Sequence, residues 1–221
     1  MGFAADSVNE YDLKFIPGEY ILMASKETNK VDACIIDNGM EICLLETSGK
    51  LLLRDNNKYG FDHIKCNFGS LNIFNNIYKK YYWASQETAG RLKIPFVNAR
   101  HGTIHLWSLE LCSPKLYCSK KVFKCVVPKA MSETNDILAL GNVCWCLTSA
   151  LRDAAKTIQA MKNEHNQYEI ERVLSGSDNR VPLNQLVNSD TKKPTEGCGF
   201  GILIPEEKEE AEFSICFKAP N

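Results

Sequence analysis

Nowhere in this chain of 221 residues is there an apolar run of the roughly 18 residues that a membrane-spanning helix needs. The opening MGFAADSVNEYDLKF lacks a basic stretch followed by an apolar core, so a soluble, intracellular protein with no membrane partner is expected. Met1-Gly2 opens like a myristoylation site, but Ser7 stands one place beyond the hydroxyl residue that motif wants, and the reading is set aside. Positive charge is not in surplus either, with 26 Lys+Arg against 27 Asp+Glu. A protein that holds nucleic acid mainly by neutralising phosphates needs a large basic excess, so DNA contact is expected to be indirect, local or delivered by partners. A glycine-rich phosphate loop, HExxH, GxSxG and CxxC are all missing. No enzyme and no cofactor is signalled. A hydrolase or transferase using a scattered cysteine is the competing reading, separable by thiol labelling, because a scaffold should hold no unusually fast thiol.

Cysteine itself is not scarce. The ten are Cys34, Cys43, Cys66, Cys112, Cys118, Cys125, Cys144, Cys146, Cys198 and Cys216, and no pair has the two-residue gap of a structural zinc knuckle. Most sit among apolar neighbours, where free thiols act as small hydrophobes in a reducing compartment. His101 and His105, straddling a Gly turn, are the only near histidine pair, and no metal site is assigned to them.

From residue 12 the pattern is of short strands. LKFI and EYILMA are divided by Pro17-Gly18, a turn dipeptide. In VDACIIDNGMEICLLE, Asn38-Gly39 between apolar runs predicts a hairpin, and LLLR after Gly49 predicts a further strand. Leu71, Phe74, Ile77 or Tyr78, and Tyr81 or Tyr82 recur at helical spacing and predict a helix over 70–84, with a shorter one near Phe61 to Cys66. Strands resume with RLKIPFVNA, turn at His101-Gly102, and continue through TIHLWSLELC and KLYCSKKVFKCVVPK. Pro95 places RLKIPFV at a sheet edge. Strands flanking a helical insert predict an α+β fold: a small antiparallel β-sandwich head over residues 1–131.

The stretch from Leu138 to Leu174 contains no proline and a single glycine. Ile137, Leu140, Cys144, Leu147, Leu151, Ala154, Ile158, Met161, His165, Tyr168 and Arg172 are spaced by alternating threes and fours, which is a heptad seam. Ser132 or Thr134 can cap its start and Gly176 can close its end. Roughly 40 helical residues span about 60 Å, more than a small domain's diameter. The seam can cover a sheet of its own domain, but its length favours a coiled-coil stalk over 132–175, with Leu140, Cys144, Leu147, Leu151, Ala154, Ile158 and Met161 as the interface of a parallel homodimer. Val143, Trp145 and Cys146, off the seam, are expected to dock the helix on the head. The polar late positions His165 and Arg172 are expected to fray the far end. Residues 176–221 turn polar and predict a flexible, mostly disordered tail, interrupted by CGFGILI and FSICF around the acidic run PEEKEEAE. Such apolar clusters suit a partner's groove or fold back on the head.

Three stretches carry a resemblance. ACIIDNGMEICLLE is similar to the second hairpin of the end-joining scaffold superfamily, which includes PAXX, XLF and the scaffold of DNA ligase IV; VCWCL with KNEHNQYEIERVL resembles its stalk. QLVNSDTKKPTEGCGF resembles the PAXX-like tail, in which Lys-Lys-Pro precedes a phenylalanine that docks on Ku. The chain departs in having Ile42 where the family places Trp, and in continuing past Phe200 to Asn221. The second departure leaves Phe200 and Phe217 both open as the docking residue. The resemblance implies a non-catalytic homodimeric scaffold of DNA double-strand-break repair by non-homologous end joining. It would be nuclear, recruited to DNA ends through the Ku heterodimer, and in contact with other end-joining factors. Carried onto this chain, the partner-binding residues are Lys192, Lys193, Cys198 and Phe200. Centriolar relatives of the same head-plus-coil plan, which self-assemble through their heads, give the alternative function.

Overall fold

The computed structural model describes residues 1–25, 29–48, 56–176, 180–188 and 214–218, the last as backbone only. Two tight hairpins form where the sequence sets left-handed residues side by side. Asn38 and Gly39, with φ of 47° and 77°, join β2 (Lys30–Asp37) to β3 (Met40–Ser48). His101 and Gly102, at 48° and 74°, join β4 (Lys93–Arg100) to β5 (Thr103–Ser113). Both turns have the positive φ at two central residues that a type I′ hairpin requires. A third reversal, with Lys115 at φ 63°, leads into β6 (Leu116–Val126).

Pro17-Gly18 does not divide two strands as expected. One strand, β1 (Leu13–Ile21), runs through it, and the irregularity is absorbed as a register shift between Pro17 and Tyr20 against β2. The strand expected at LLLR lies outside the described residues. Between β3 and β4 the chain forms α2 (Asn56–Lys80) and the short α3 (Gln86–Ala89), the latter capped by Ser85 Oγ accepting the Thr88 N–H at 3.1 Å. The two expected helices are thus one, longer at its start and continuous through Gly69. That glycine is a packing requirement: a Cβ there would lie 2.7 Å from Leu44 Cδ2.

The helical crossover returns the chain so that β4 runs parallel to β3, whereas every other neighbouring pair is antiparallel. The strands lie in sequence order in one hydrogen-bonded sheet, with the short β7 (Ser214–Lys218) on the outer side of β6. β4 is therefore central, not an edge. It tolerates Pro95 because its ladder with β3 begins only at Phe96, opposite Leu44.

Helices cover both faces of this sheet. Leu44 and Phe96 are register partners, and α2 meets them through Gly69 and His63. Asn98, on the same face by alternation, bonds His63 and Cys66. The opposite parity belongs to Thr47, Ala99, Ile104 and Cys125, which are linked by register, and Cys125 lies beside Cys144 of α4 (Thr134–Ser175). The protein is α+β, with a mostly antiparallel sheet held between α2 and α4, and α1 (Gly2–Asp6) packed on α4 and β1. Helix, not a second sheet, faces the strands. Double-sided burial explains the unbroken apolar runs in β3 and β4, which a half-exposed sheet would have broken by alternation.

Candidate interaction surfaces

The expected dimer seam is where the structure departs most from the sequence reading. Leu147, Leu151, Ala154, Ile158 and Met161 are each at most 4% exposed within a single copy. Leu147, Leu151, Ile158 and Met161 join the core with Ile35, Val97 and Leu106 of the sheet. A side chain buried against its own sheet cannot also face a second copy, so these five positions are corrected from dimer seam to internal packing. Leu140 and Cys144, the first two of the expected set, remain half-buried.

The far end does not loosen at its polar positions either. His165 Nδ1 accepts the Trp83 N–H at 3.2 Å, Tyr168 is buried with its ring 5.3 Å from that of Trp83, and the Arg172 guanidinium lies 5.2 Å from the Trp83 ring. The Glu164 carboxylate accepts from Ser85 N–H at 2.8 Å and Thr88 Oγ1 at 2.5 Å, tying α4 to the start of α3. Gly176, at φ 66°, then closes the helix by donating to Arg172 O, as its sequence position predicts. At the helix start Glu133 stands at the cap position without a side-chain cap bond, in place of Ser132 or Thr134.

Part of the presumed tail is also structured. Arg180 donates from its backbone to Tyr168 Oη at 3.2 Å, and its side chain stacks 4.3 Å from that ring while donating to Trp83 O. A 3-10 turn, Leu183–Gln185, buries Leu183, and Tyr117 Oη accepts the Asn188 N–H at 3.3 Å while donating to Asn75 Oδ1 at 2.7 Å. From Ser214 onward the FSICF cluster folds back as β7, with Phe217 in register with Tyr117. Lys192, Lys193, Cys198 and Phe200 lie outside the described residues.

On α4 itself, once the seam is folded inward, the large apolar side chains left in water sit towards its two ends. Trp145 is 73% exposed, although Val143 and Cys146 beside it do pack inward, and Leu138 is 62% exposed. Seven residues apart, they share one side of the helix, with Gly141 between them and open space above its Cα. At the other end Ile170, Val173 and Leu174 line a shallow groove with Asn166 and Glu169.

A Cys-His-Asn trio does assemble, between α2 and the sheet. His63 Nδ1 lies 3.2 Å from Asn98 Oδ1, Asn67 Nδ2 lies 3.1 Å from His63 Nε2, and Asn98 Nδ2 donates to Cys66 Sγ at 3.2 Å. This wiring fits a neutral imidazole with its proton on Nδ1. The asparagine thus donates to the sulfur. Burial pushes the Cys66 thiol well up, aided by the Glu46 carboxylate, and pushes His63 down, so both stay uncharged. With Asn67 the trio forms a hydrogen-bonded polar layer under α2. A second candidate, a cleft of about 320 Å³ beside Asp37, Lys80, Tyr81, Lys162 and His165, carries ionisable side chains of both signs. Compared with protein-family models, with curated proteins and with solved structures, the chain matches none.

Proposed function

We propose that the chain is a non-catalytic, homodimeric scaffold of double-strand-break repair by end joining, acting in the nucleus and recruited to DNA ends through Ku. The observation that carries the reading is the order of elements: three strands, a helical insert, three strands, one long helix and a tail. That order, with the hairpin at Asp37 and the tail stretch that runs up to Phe200, is the order on which the family resemblance rests. The inward-folded seam changes where a second copy would sit. The contact moves to the start of α4, where Leu138 and Trp145 are exposed beside half-buried Leu140 and Cys144 and where Gly141 lets a partner helix approach closely. A tryptophan in such a setting is the residue type that most often anchors an interface.

Capture of the full chain on Ku-loaded DNA ends tests the assignment. Phe200→Ala should weaken capture by ~30-fold, the equivalent of an anchor worth about 2 kcal/mol, and leave the oligomeric state unchanged. Trp145→Ser should give monomers by light scattering and leave tail-mediated capture of each copy in place. Loss of capture in Phe217→Ala but not in Phe200→Ala would move the docking residue to β7. If the parent chain is not captured by Ku at all, the end-joining reading is wrong.

A further inference from the structure

We propose that Cys112 and Cys118 are a reversible redox modification site, closing into a disulfide across the reversal between β5 and β6. Their sulfurs lie within 4.8 Å of each other, together with a Glu110 carboxylate oxygen. Register explains the proximity. Glu110 and Cys118 are partners across the hairpin, and Cys112 follows two residues after Glu110. Leu111 and Ser113 pair with the consecutive Tyr117 and Leu116, so Cys112 is the extra residue of a bulge, outside the ladder and with room to turn its side chain. A disulfide needs its sulfurs about 2.05 Å apart, so these two must close by less than about 3 Å, which rotation about the two Cα–Cβ bonds covers. Access differs between them. Cys112 is exposed whereas Cys118 is 2% exposed, so an oxidant meets Cys112 first and Cys118 is kept for the second step.

The oxidant is a small-molecule disulfide such as oxidised glutathione. The Cys112 thiolate attacks one of its sulfurs, the S–S bond breaks, and one glutathione leaves with the proton that Cys112 gave up. Cys118 then attacks the Cys112 sulfur of the mixed disulfide, forming the Cys112–Cys118 bond and releasing the second glutathione with the second proton. Two electrons pass from the protein thiols to the oxidant, and excess reduced glutathione runs the sequence backwards. In a reducing compartment the pair therefore rests as thiols and closes only when that balance shifts. The bond acts on a structural anchor. Lys115, inside the closed ring with φ of 63°, donates its N–H to Leu186 O at 2.8 Å, and Tyr117 Oη, from the same ring, accepts the Asn188 N–H. Both contacts hold the segment that follows α4, so closing the ring fixes the reversal that fastens it.

The full chain, reduced and then equilibrated in mixtures of reduced and oxidised glutathione, tests this independently of any role in end joining. After rapid thiol blocking, trypsin cuts at Lys115 between the two cysteines, so mass spectrometry reads the bond as a linked pair of peptides. The linked pair should rise and fall reversibly with the glutathione ratio, in Cys146→Ser as in the parent chain. Cys118→Ser should stop at the glutathione adduct of Cys112. Cys112→Ser should lose the linked pair, with Cys118 modified at least ~10-fold more slowly than Cys112 is in the parent chain. Amide exchange at Lys115 should slow in the oxidised protein. A parent chain that retains glutathione on Cys112 while Cys118 is still a thiol would overturn the site, as would a disulfide from either cysteine to any other. Exchange at Lys115 that is the same in both forms would overturn the effect on the anchor.

Discussion

Replacing Leu151 with aspartate should unfold the domain at every protein concentration, not simply separate two copies. Leu151 is 0% exposed and lies midway along the buried face of α4, in one core with Leu147, Ile158 and the central strands. Even Leu151→Ala would remove about 2–5 kcal/mol, through lost transfer energy and the cavity left behind. The aspartate adds a desolvated carboxyl with no cation arranged to meet it, and the total competes with the 5–15 kcal/mol of stability typical of a domain. Far-UV circular dichroism and urea titration read the outcome. A folded monomer of native midpoint would mean that Leu151 faces a partner instead of the sheet.

The second large effect is on pH dependence. Glu46 is almost fully buried between α2 and β3, and burial pushes its carboxyl up to about 7, against the opposing pull of Lys65 at 2.6 Å. Asp32 and Asp62 nearby push in the same direction as burial. An unfolded glutamate titrates near about 4.3, so between these values the folded protein holds a proton that the unfolded chain releases. Stability from this group is complete below about pH 4.3 and is lost as pH rises through about 7, a loss on the order of 4 kcal/mol. Glu46→Gln cannot ionise and should escape it. Urea midpoints of the two proteins should therefore diverge from about pH 5 to about pH 8, with the variant ending the more stable. His63, whose pKa burial lowers, acts in the opposite sense, costing stability as pH falls below about 6.5, but it is common to both proteins and drops out of the difference. Parallel pH profiles would show that Glu46 stays ionised and solvated in the fold.

Much of the fold can be read from local chemistry, because turns are decided locally. Asn38-Gly39, His101-Gly102 and Gly176 announce left-handed backbone, and each adopts it. The heptad spacing of α4 is equally plain, but spacing cannot say what the stripe packs against. An own sheet and a second helix both reward apolar residues at threes and fours. The deciding signal lay elsewhere, in runs such as CIID, ICLLE and IPFV, whose lack of alternation marks strands covered on both sides and therefore needing a second helical layer. Trp145 misleads in the other direction: its size suggests docking on the head, yet it points to water because Val143 and Leu147 already take the inward positions. The polar layer of His63, Cys66, Asn67 and Asn98 is not visible in the sequence, since α2 and β4 supply it from positions some 30 residues apart.

The central claim is that α4 is a wall of its own domain. Amide hydrogen exchange along 143–168, compared between a concentrated sample and one diluted well below any dimer's dissociation constant, tests this most directly. Protection should be the same at both concentrations and as strong at Tyr168 as at Leu151, because the covering surface is the chain's own sheet and the Trp83 region. Protection that disappears on dilution would show that a second copy covers the seam, and would contradict the account.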